Sequence, residues 1–322
     1  MKRNDRLLLL LLAAVVFLCG CTAESAVVSQ PYRVTFVAKS TETEFWRSAF
    51  AGANAAASEY NMELTVVGPE TEEDFQAQNA FIAEAVADGA DAIVFSAISY
   101  TGNAEAIDAA AAAGLRIVVI DSDVDSQGVD VRIGTDNVQA GRMTGTAVLD
   151  AREGTLCIGI VNFSLNSRNG QEREQGLREV LEAEARVTAI HTVNTVANQQ
   201  AAQAAAAGLM KEHPEINVLV GLNEPLAVGV GLAVDQMDLS GRVQVVGFDT
   251  NVVCIDLMRA GAVSALIAQN PYAMGYLGVE KAWELLEGAS FDPAVWLDTA
   301  TTIVDRENMF TPESQKALFA FS

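Results

Sequence analysis

The chain has 322 residues, of which 50% are hydrophobic, and a formal net charge of −22. This length and apolar content suffice for two domains of ordinary size with their own cores, and they exclude a largely disordered chain. Lys and Arg together number only 20 and are spread along the sequence. A nucleic-acid partner is therefore not expected, because phosphate binding needs clustered basic side chains.

The N-terminus has the pattern of a secretory signal peptide. Basic side chains within residues 1–6 precede an uninterrupted apolar run at 7–18, which is shorter than the about 20 residues that a membrane-spanning helix needs. The run ends in Leu-Cys-Gly-Cys, which resembles the lipobox of bacterial lipoproteins, in which the last cysteine, here Cys21, is acylated. We expect residues 1–20 to be a lipoprotein signal peptide and 21–30 a flexible tether to the membrane. An ordinary secretory signal with two incidental cysteines is the alternative.

The rest of the chain alternates between short apolar runs and Ala-rich helical segments. One series predicts strands at 32–38, 62–67, 91–95 and 116–120, with helices at 44–60, 72–88 and 104–113. A second predicts strands at 155–161, 186–192, 216–222, 243–248 and 264–268, with helices at 169–183, 199–212, 225–237 and 252–260. This alternation is typical of α/β folds with doubly wound parallel sheets. Two such units without a flexible linker predict two lobes joined by a multi-strand hinge, with a cleft between them.

Polar residues directly follow several of the predicted strands. The run at 117–120 has four branched apolar residues, the pattern of a strand buried on both faces, and Asp121 comes next. Other strands are followed by Lys39, Ser96, Asn223 and Asp249. Because ligands of open α/β sheets bind outside the carboxyl ends of the strands, we expect these side chains to surround a ligand site.

The sequence offers no catalytic motif that would suggest an enzyme. It has no nucleophile elbow, no phosphate-binding P-loop and no metalloprotease helix. Asp121, Asp123 and Asp125 match the first half of a calcium loop, but Ser126 and Arg132 occupy the positions that require Gly and a bidentate Glu. We therefore expect a binding protein without a cofactor.

The cysteines and histidines do not form a recognisable pattern. Cys157 and Cys254 lie in apolar segments, where a free Cys behaves as a small hydrophobic residue. His191 and His213 are the only two histidines, and no Cys pair stands at the spacing of zinc ligands. Neither a disulfide framework nor a metal site is expected.

The residue types at the strand ends suit a polyhydroxylated ligand. Carboxylate, amide and guanidinium groups are planar and can bind adjacent hydroxyls in pairs, while an aromatic ring packs against the C–H face of a sugar. Phe45 and Trp46 would supply the aromatic surface. The alternative is that this pair belongs to the core of a helix.

The sequence at 32–305 resembles the type I periplasmic binding proteins, specifically the ribose-binding-like subunits of ATP-driven sugar importers. The motifs that carry the resemblance are Glu-Phe-Trp at 44–46, Val-Ile-Asp-Ser-Asp at 119–123, Ile-Gly-Thr-Asp-Asn at 133–137, Glu-Arg at 172–173, Asn-Glu at 223–224, Val-Gly-Phe-Asp at 246–249 and Ile-Ala-Gln at 267–269.

The resemblance implies a role for each matched position. Phe45 and Trp46 would flank the ligand ring, with Phe248 on its other side. The residues that would bind hydroxyls are Asp121, Arg173, Asn223, Asp249 and Gln269, joined in the site by Ser96 and Thr135. Ser96 stands where many relatives have Asn, and Ser122 where ribose binders have Arg, so ribose itself is not implied.

The resemblance also implies three crossings between the lobes, near Thr135, Asn270 and Asp298. Lobe one would comprise 31–135 plus 270–298, and lobe two 136–269 plus 299–322.

The function implied is that of a lipid-anchored receptor on the extracytoplasmic face of a membrane that captures a small sugar and delivers it to an ABC permease. Two alternatives remain open. Lys39 and the run at 121–123 also resemble receptors for furanosyl signals such as autoinducer-2, and a sugar-sensing partner of a membrane signalling protein would have the same sequence pattern.

Overall fold

The computed structural model describes residues 30–319. Cys21, the predicted signal peptide at 1–20 and tether residues 21–29 lie outside the described residues. Residues 32–319 belong to one compact unit. No helix within 30–319 combines the length and apolar character needed to cross a bilayer.

The first sheet contains six parallel strands, in the spatial order β11-β5-β4-β3-β1-β2. Its strands are β1 (Arg33–Val37), β2 (Glu63–Val67), β3 (Ala92–Phe95), β4 (Arg116–Ile120), β5 (Val131–Gly134) and β11 (Trp296–Asp298). The helices that follow or cover these strands are α1 (Glu44–Glu59), α2 (Phe75–Ala87), α3 (Ala104–Ala112) and α9 (Pro271–Leu286).

The second sheet repeats this arrangement, in the order β12-β10-β9-β8-β6-β7. Its strands are β6 (Leu156–Asn162), β7 (Val187–Asn194), β8 (Val218–Gly221), β9 (Gln244–Phe248), β10 (Ala265–Ala268) and β12 (Thr302–Asp305). Its helices are α4 (Asn137–Ala151), α5 (Arg168–Leu181), α6 (Gln199–Glu212), α7 (Glu224–Gln236), α8 (Val252–Ala260) and α10 (Pro312–Leu318). Only β12, among the described strands, runs antiparallel to its neighbour. The predicted fold class of two doubly wound parallel-sheet lobes is confirmed.

The structure adds elements to those predicted from the sequence. Strands β11 and β12 have three and four residues and are partly exposed, so they lack the long apolar run that marks a buried strand. The other additions are β5, α4, α9 and α10. Helix α2 begins at Phe75, later than predicted, because the Asp74 carboxylate accepts a hydrogen bond from the Ala77 amide and caps the helix there.

The three connections between the sheets are bonded to one another. The chain leaves the first sheet after Gly134, leaves the second after Ala268 and returns to it after Asp298. Thr135 Oγ1 donates to Gln269 Oε1 at 2.8 Å, and the Thr299 amide donates to the Gly134 carbonyl at 2.8 Å. The predicted lobe boundaries themselves remain a prediction.

Two helix pairs are in especially close contact, α1 with α9 in the first lobe and α4 with α5 in the second. Glycines allow the approach: a Cβ at Gly275 would overlap the Ala49 carbonyl, and a Cβ at Gly176 would overlap the Val138 carbonyl. Both obstacles are backbone atoms, which cannot rotate away. Close packing of α4 on α5 fixes Arg173, on α5, beside Asn137 at the start of α4.

We expect Gly275→Ala to lower the free energy of unfolding by about 1–3 kcal/mol, the usual cost of overpacking. Gly208→Ala in α6 is the matched control, because nothing lies within 4 Å of a Cβ at that exposed position. That change should raise stability by up to about 1 kcal/mol through helix propensity. Urea unfolding of both variants measures the difference. Equal stabilities of the two variants would show that the α1–α9 contact is not sterically tight.

Candidate functional site

A cavity lies where the carboxyl ends of the two sheets face each other. The first lobe lines it with Lys39, Thr43, Phe45, Trp46, Glu72 and Asp121. The second lines it with Phe163, Asn169, Arg173, Asn223, Glu224, Pro225, Asp249 and Gln269. Most of the predicted site residues are thus brought together. Ser96, Thr135 and Phe248 are exceptions and do not line the cavity.

Asp121 and Asp249 occupy equivalent positions in the two sheets. Each follows a central strand, β4 or β9, and each has a left-handed backbone, with φ of 57° and 68°. Their amides donate to equivalent carbonyls, Ile133 for Asp121 at 3.0 Å and Ile267 for Asp249 at 2.9 Å. Asp tolerates positive φ better than most residues. The two residues therefore line the cavity from opposite lobes.

Neighbouring donors satisfy both carboxylates. Ser96 Oγ donates to Asp121 Oδ2 at 2.9 Å, and Asn169 Nδ2, from the other lobe, donates to Asp121 Oδ1 at 3.2 Å. Asp249 accepts from the Glu224 amide at 2.9 Å and from Gln269 Nε2. Ser96 therefore acts through Asp121 instead of reaching the cavity itself.

Arg173 lies between the two carboxylates and is almost fully buried, with 1% of its surface exposed. Its guanidinium donates to Asn137 Oδ1 at 2.9 Å, to the Leu222 carbonyl at 2.9 Å and to Gln269 Oε1 at 3.0 Å. Asp121 Oδ1 lies 3.8 Å from Arg173 Nη2. The cation holds the two lobes' acidic groups in one network.

Phe248 differs from its predicted role as a wall for the ligand ring. Arg173 Cζ lies 4.0 Å from the centre of the Phe248 ring, a cation–π contact, and the ring is buried beneath the guanidinium. The structure instead places Phe163 on the cavity wall. Phe163 directly follows β6, so the strand-end argument could have identified it.

Phe45 and Trp46 serve both as core and as cavity wall. Their ring centroids are 5.0 Å apart in an edge-to-face arrangement, and Trp46 is 1% exposed and packs against Phe36 and Phe50. Trp46 Nε1 donates to Glu72 Oε1 at 3.0 Å. The interpretation of this pair as helix core is correct, and its contact with a ligand ring stays a prediction.

Lys39, expected near the ligand site from its place after a strand, is a buried cation. Its ammonium lies 3.2 Å from Glu72 Oε2, donates to Ser167 Oγ at 3.0 Å and stands 5.2 Å from the centre of the Phe163 ring. Ser167 and Phe163 belong to the second lobe. Lys39 therefore links the lobes across the cavity.

Glu224, at the start of α7, caps a helix of the opposite lobe. Its carboxylate accepts from the Phe45 amide at 2.8 Å and the Glu44 amide at 3.2 Å, at the N-terminus of α1, and from Asn251 Nδ2 at 2.8 Å. Negative charge is favourable at a helix N-terminus. Burial nevertheless dominates and raises the pKa of Glu224 from 4.5 to about 7. Burial likewise raises the pKa of Asp249 from 3.8 to about 6, although Arg173 opposes this.

These raised pKa values make stability depend on pH. The Glu224 and Asp249 carboxyl groups bind protons more tightly in the folded protein than in an unfolded chain. Their contribution to the free energy of unfolding is therefore complete below about pH 4 and is lost as the pH rises through about 6 and 7. We expect Glu224→Gln to lose less stability than the wild type between pH 5 and pH 8, by on the order of 1–3 kcal/mol. Unfolding by urea at both pH values measures this. Glu105→Gln, at an exposed site, controls for loss of a surface carboxylate, and identical pH profiles for Glu224→Gln and the wild type would contradict the assignment.

The cavity in this arrangement is small. Its volume of about 20 Å³ is enough for a single water molecule. A larger ligand can enter only if the lobes separate, because the enclosing side chains are bonded across both lobes.

Known proteins share both the sequence pattern and the fold of this chain. Residues 34–290 match the family described as the periplasmic binding protein domain. The chain is 26% identical to the D-ribose/D-allose-binding protein of Pseudomonas aeruginosa, over 86% of this chain and 91% of that protein.

Solved structures agree in fold. A sugar transporter from Clostridium phytofermentans is 32% identical, with a TM-score of 0.76 over 85% of this chain and 99% of that one. A carbohydrate transporter solute binding protein from Agrobacterium radiobacter, in complex with D-arabinose, is 25% identical, with a TM-score of 0.84 over 90% and 99% of the two chains. The match to the family model spans most of the sequence and both lobes, so the chain belongs to the periplasmic binding protein domain family.

Proposed function

We propose that this protein captures a small sugar between its two lobes and delivers it to an ABC permease, with no chemical step of its own. The observation that carries the proposal is the cavity, in which carboxylate, amide and guanidinium groups from both lobes converge beside aromatic rings. The names of the similar proteins, a D-ribose/D-allose-binding protein and a D-arabinose complex, support a sugar as the ligand. They favour transport over the furanosyl-signal alternative.

In this structure, polar groups of the cavity form hydrogen bonds with one another. Asp121 is bonded to Asn169 across the cleft, and Asp249 to Gln269 within the second lobe. A sugar hydroxyl both donates and accepts a hydrogen bond, so a ring bearing several hydroxyls can replace these contacts one by one. We propose that the ligand enters an open cleft and that the lobes then close on it.

The proposed moving bodies are the lobes predicted above, 31–135 plus 270–298 and 136–269 plus 299–322. Each sheet lies within one of these sets of ranges. The bonded connections at Thr135, Gln269 and Thr299 then form the hinge.

Thermal unfolding with a panel of compounds tests the ligand class. A ligand that binds only the folded state at a hundredfold excess over Kd stabilises it by about 2.7 kcal/mol. Among pentoses, hexoses, deoxy sugars, polyols, nucleosides and amino acids, we expect the stabilising compounds to be sugars. A panel in which only an amino acid or a nucleoside raises the melting temperature would contradict the proposal.

We also propose that Cys21 is acylated and holds the protein at the extracytoplasmic face of a membrane. The short apolar run and the lipobox-like sequence before Cys21 support this. Cys21→Ser should release the protein from the membrane fraction, whereas Cys19→Ser should leave it there. Mass spectrometry of the mature N-terminus is decisive, and an unmodified N-terminus at another residue would contradict the proposal.

A further inference from the structure

We propose that Cys157, His191 and Glu215 form a zinc-binding site in the second lobe. Cys157 is near the amino end of β6, His191 is on the edge strand β7, and Glu215 is in the loop after α6. None of the three lines the cavity, which lies at the carboxyl ends of the strands. The site is therefore separate from the proposed sugar site.

The three potential ligand atoms already converge. The Cys157 thiol, a His191 ring nitrogen and a Glu215 carboxylate oxygen all lie within 4.8 Å of one another. His191 Nε2 is 3.7 Å from Glu215 Oε1. Zinc bonds of 2.0–2.3 Å in a tetrahedral arrangement place ligand atoms about 3.3–3.8 Å apart, so small side-chain rotations suffice.

A buried nitrogen without a partner marks the centre of the cluster. His191 Nε2 is shielded from solvent and has no hydrogen-bond partner. Leaving such a group unpaired is unfavourable, and an unsatisfied buried atom in a native protein calls for an explanation. Coordination of a metal ion by Nε2 supplies one.

The donor set selects the class of metal. A thiolate, an imidazole and a carboxylate suit zinc, whereas calcium and magnesium prefer oxygen ligands alone. Deprotonated Cys157 and ionised Glu215 together balance the charge of a divalent ion. Glu215 has 57% of its side chain exposed, which gives the ion a path from solvent and leaves a fourth position for water.

His213 orients this site instead of coordinating. The sequence has two histidines, and both are here, with ring centroids 3.6 Å apart and planes inclined by 20°. A metal ion lies in the plane of the ring that binds it, so an ion in the plane of His191 is outside the plane of His213. The stacked ring holds His191 in position, while His213 Nδ1 lies 3.5 Å from Glu215 Oε1. This proposal departs from the expectation of no metal site, which considered only spacing along the sequence, because the fold joins distant segments.

Titration of the untagged, chelator-treated protein with Zn²⁺ and Co²⁺ tests the proposal. We expect one ion per chain and, with Co²⁺, a thiolate-to-metal charge-transfer band. Cys157→Ser should abolish that band, whereas Cys254→Ser, at the other buried thiol, should keep it. Glu215→Gln, at an exposed position where folding is not at risk, should weaken Zn²⁺ binding at least tenfold.

The role of His213 needs its own variants. His213→Phe keeps the ring stack and should change Zn²⁺ affinity only a few fold, whereas His213→Ala should weaken it about tenfold or more, the usual effect of losing an orienting group. Sugar affinity should not change in any of these variants. Absence of saturable Zn²⁺ binding, or a charge-transfer band that persists in Cys157→Ser, would overturn the proposal.

Discussion

Replacing Arg173 with Met should lower the free energy of unfolding by about 3–5 kcal/mol, the cost of breaking a buried ion pair from one side. Met fills much of the same space but leaves Asp121 and Asp249, both almost fully buried, without the cation between them. It also removes three hydrogen bonds, including the one to the Leu222 carbonyl. Urea unfolding at neutral pH measures the loss.

The same helix provides the matched control for this change. Arg178, also on α5, pairs with Glu174 at 2.8 Å and Glu182 at 3.3 Å, but 34% of its side chain is exposed. Exposed ion pairs contribute about 0–1 kcal/mol, so Arg178→Met should cost far less than Arg173→Met. Similar losses in the two variants would show that the central network does not carry the stability assigned to it.

The loss in Arg173→Met should depend on pH and on its acidic partner. Arg173 opposes the rise in the pKa of Asp249, so without it that pKa lies above about 6 and the folded state binds the proton more tightly. The deficit should therefore be smaller at pH 5 than at pH 8. Asp249→Asn should also rescue part of it, because the unpaired charge is then removed. If the loss of stability in Arg173→Met depends neither on pH nor on the charge of Asp249, lost packing alone explains it.

The sequence predicted a site residue correctly where its position depends on a single strand. Asp121 and Asp249 reach the cavity because each directly follows a buried parallel strand, and Asn223 lies two residues beyond the end of another. That rule needs no knowledge of the other lobe. The alternation of runs likewise predicted both sheets. Short edge strands such as β11 were not predicted, because three partly exposed residues have no distinctive sequence pattern.

Contacts between distant segments could not be predicted in this way. Glu224 caps α1 only because the lobes meet, and the stacking of His191 on His213 depends on how α6 packs on the second sheet. Phe248 follows the family motif, yet its ring is covered by Arg173. Each outcome depends on packing between elements, for which the local pattern carries no signal.

Asp121→Asn and Asp249→Asn should each weaken sugar binding by about tenfold to a few hundredfold. A hydrogen bond to a charged group contributes about 1.5–3 kcal/mol, and 1.4 kcal/mol corresponds to one decade in Kd. Asn is the appropriate replacement because it tolerates the positive φ at both positions, so a loss cannot come from backbone strain. Calorimetric titration with the sugar found in the thermal panel gives the Kd values.

Asp123→Asn is the control for these two variants. Asp123 stands two residues from Asp121, but its carboxylate is paired with Arg132 at 2.8 Å and does not line the cavity. Its loss should leave Kd within a few fold of the wild type. A loss of sugar affinity equal to that of Asp121→Asn would mean that the overall negative charge near β4, not a direct contact, governs binding.

Closure of the lobes links the two positions. Asp121 belongs to the first lobe and Asp249 to the second, so a sugar bound by both can exist only when the lobes have approached each other. Small-angle scattering should show a smaller radius of gyration with the sugar than without it, and the decrease should require more sugar in either Asn variant. If the radius does not change and Asp249→Asn binds as tightly as the wild type, the ligand site lies outside this cleft, and the residue assignment fails with it.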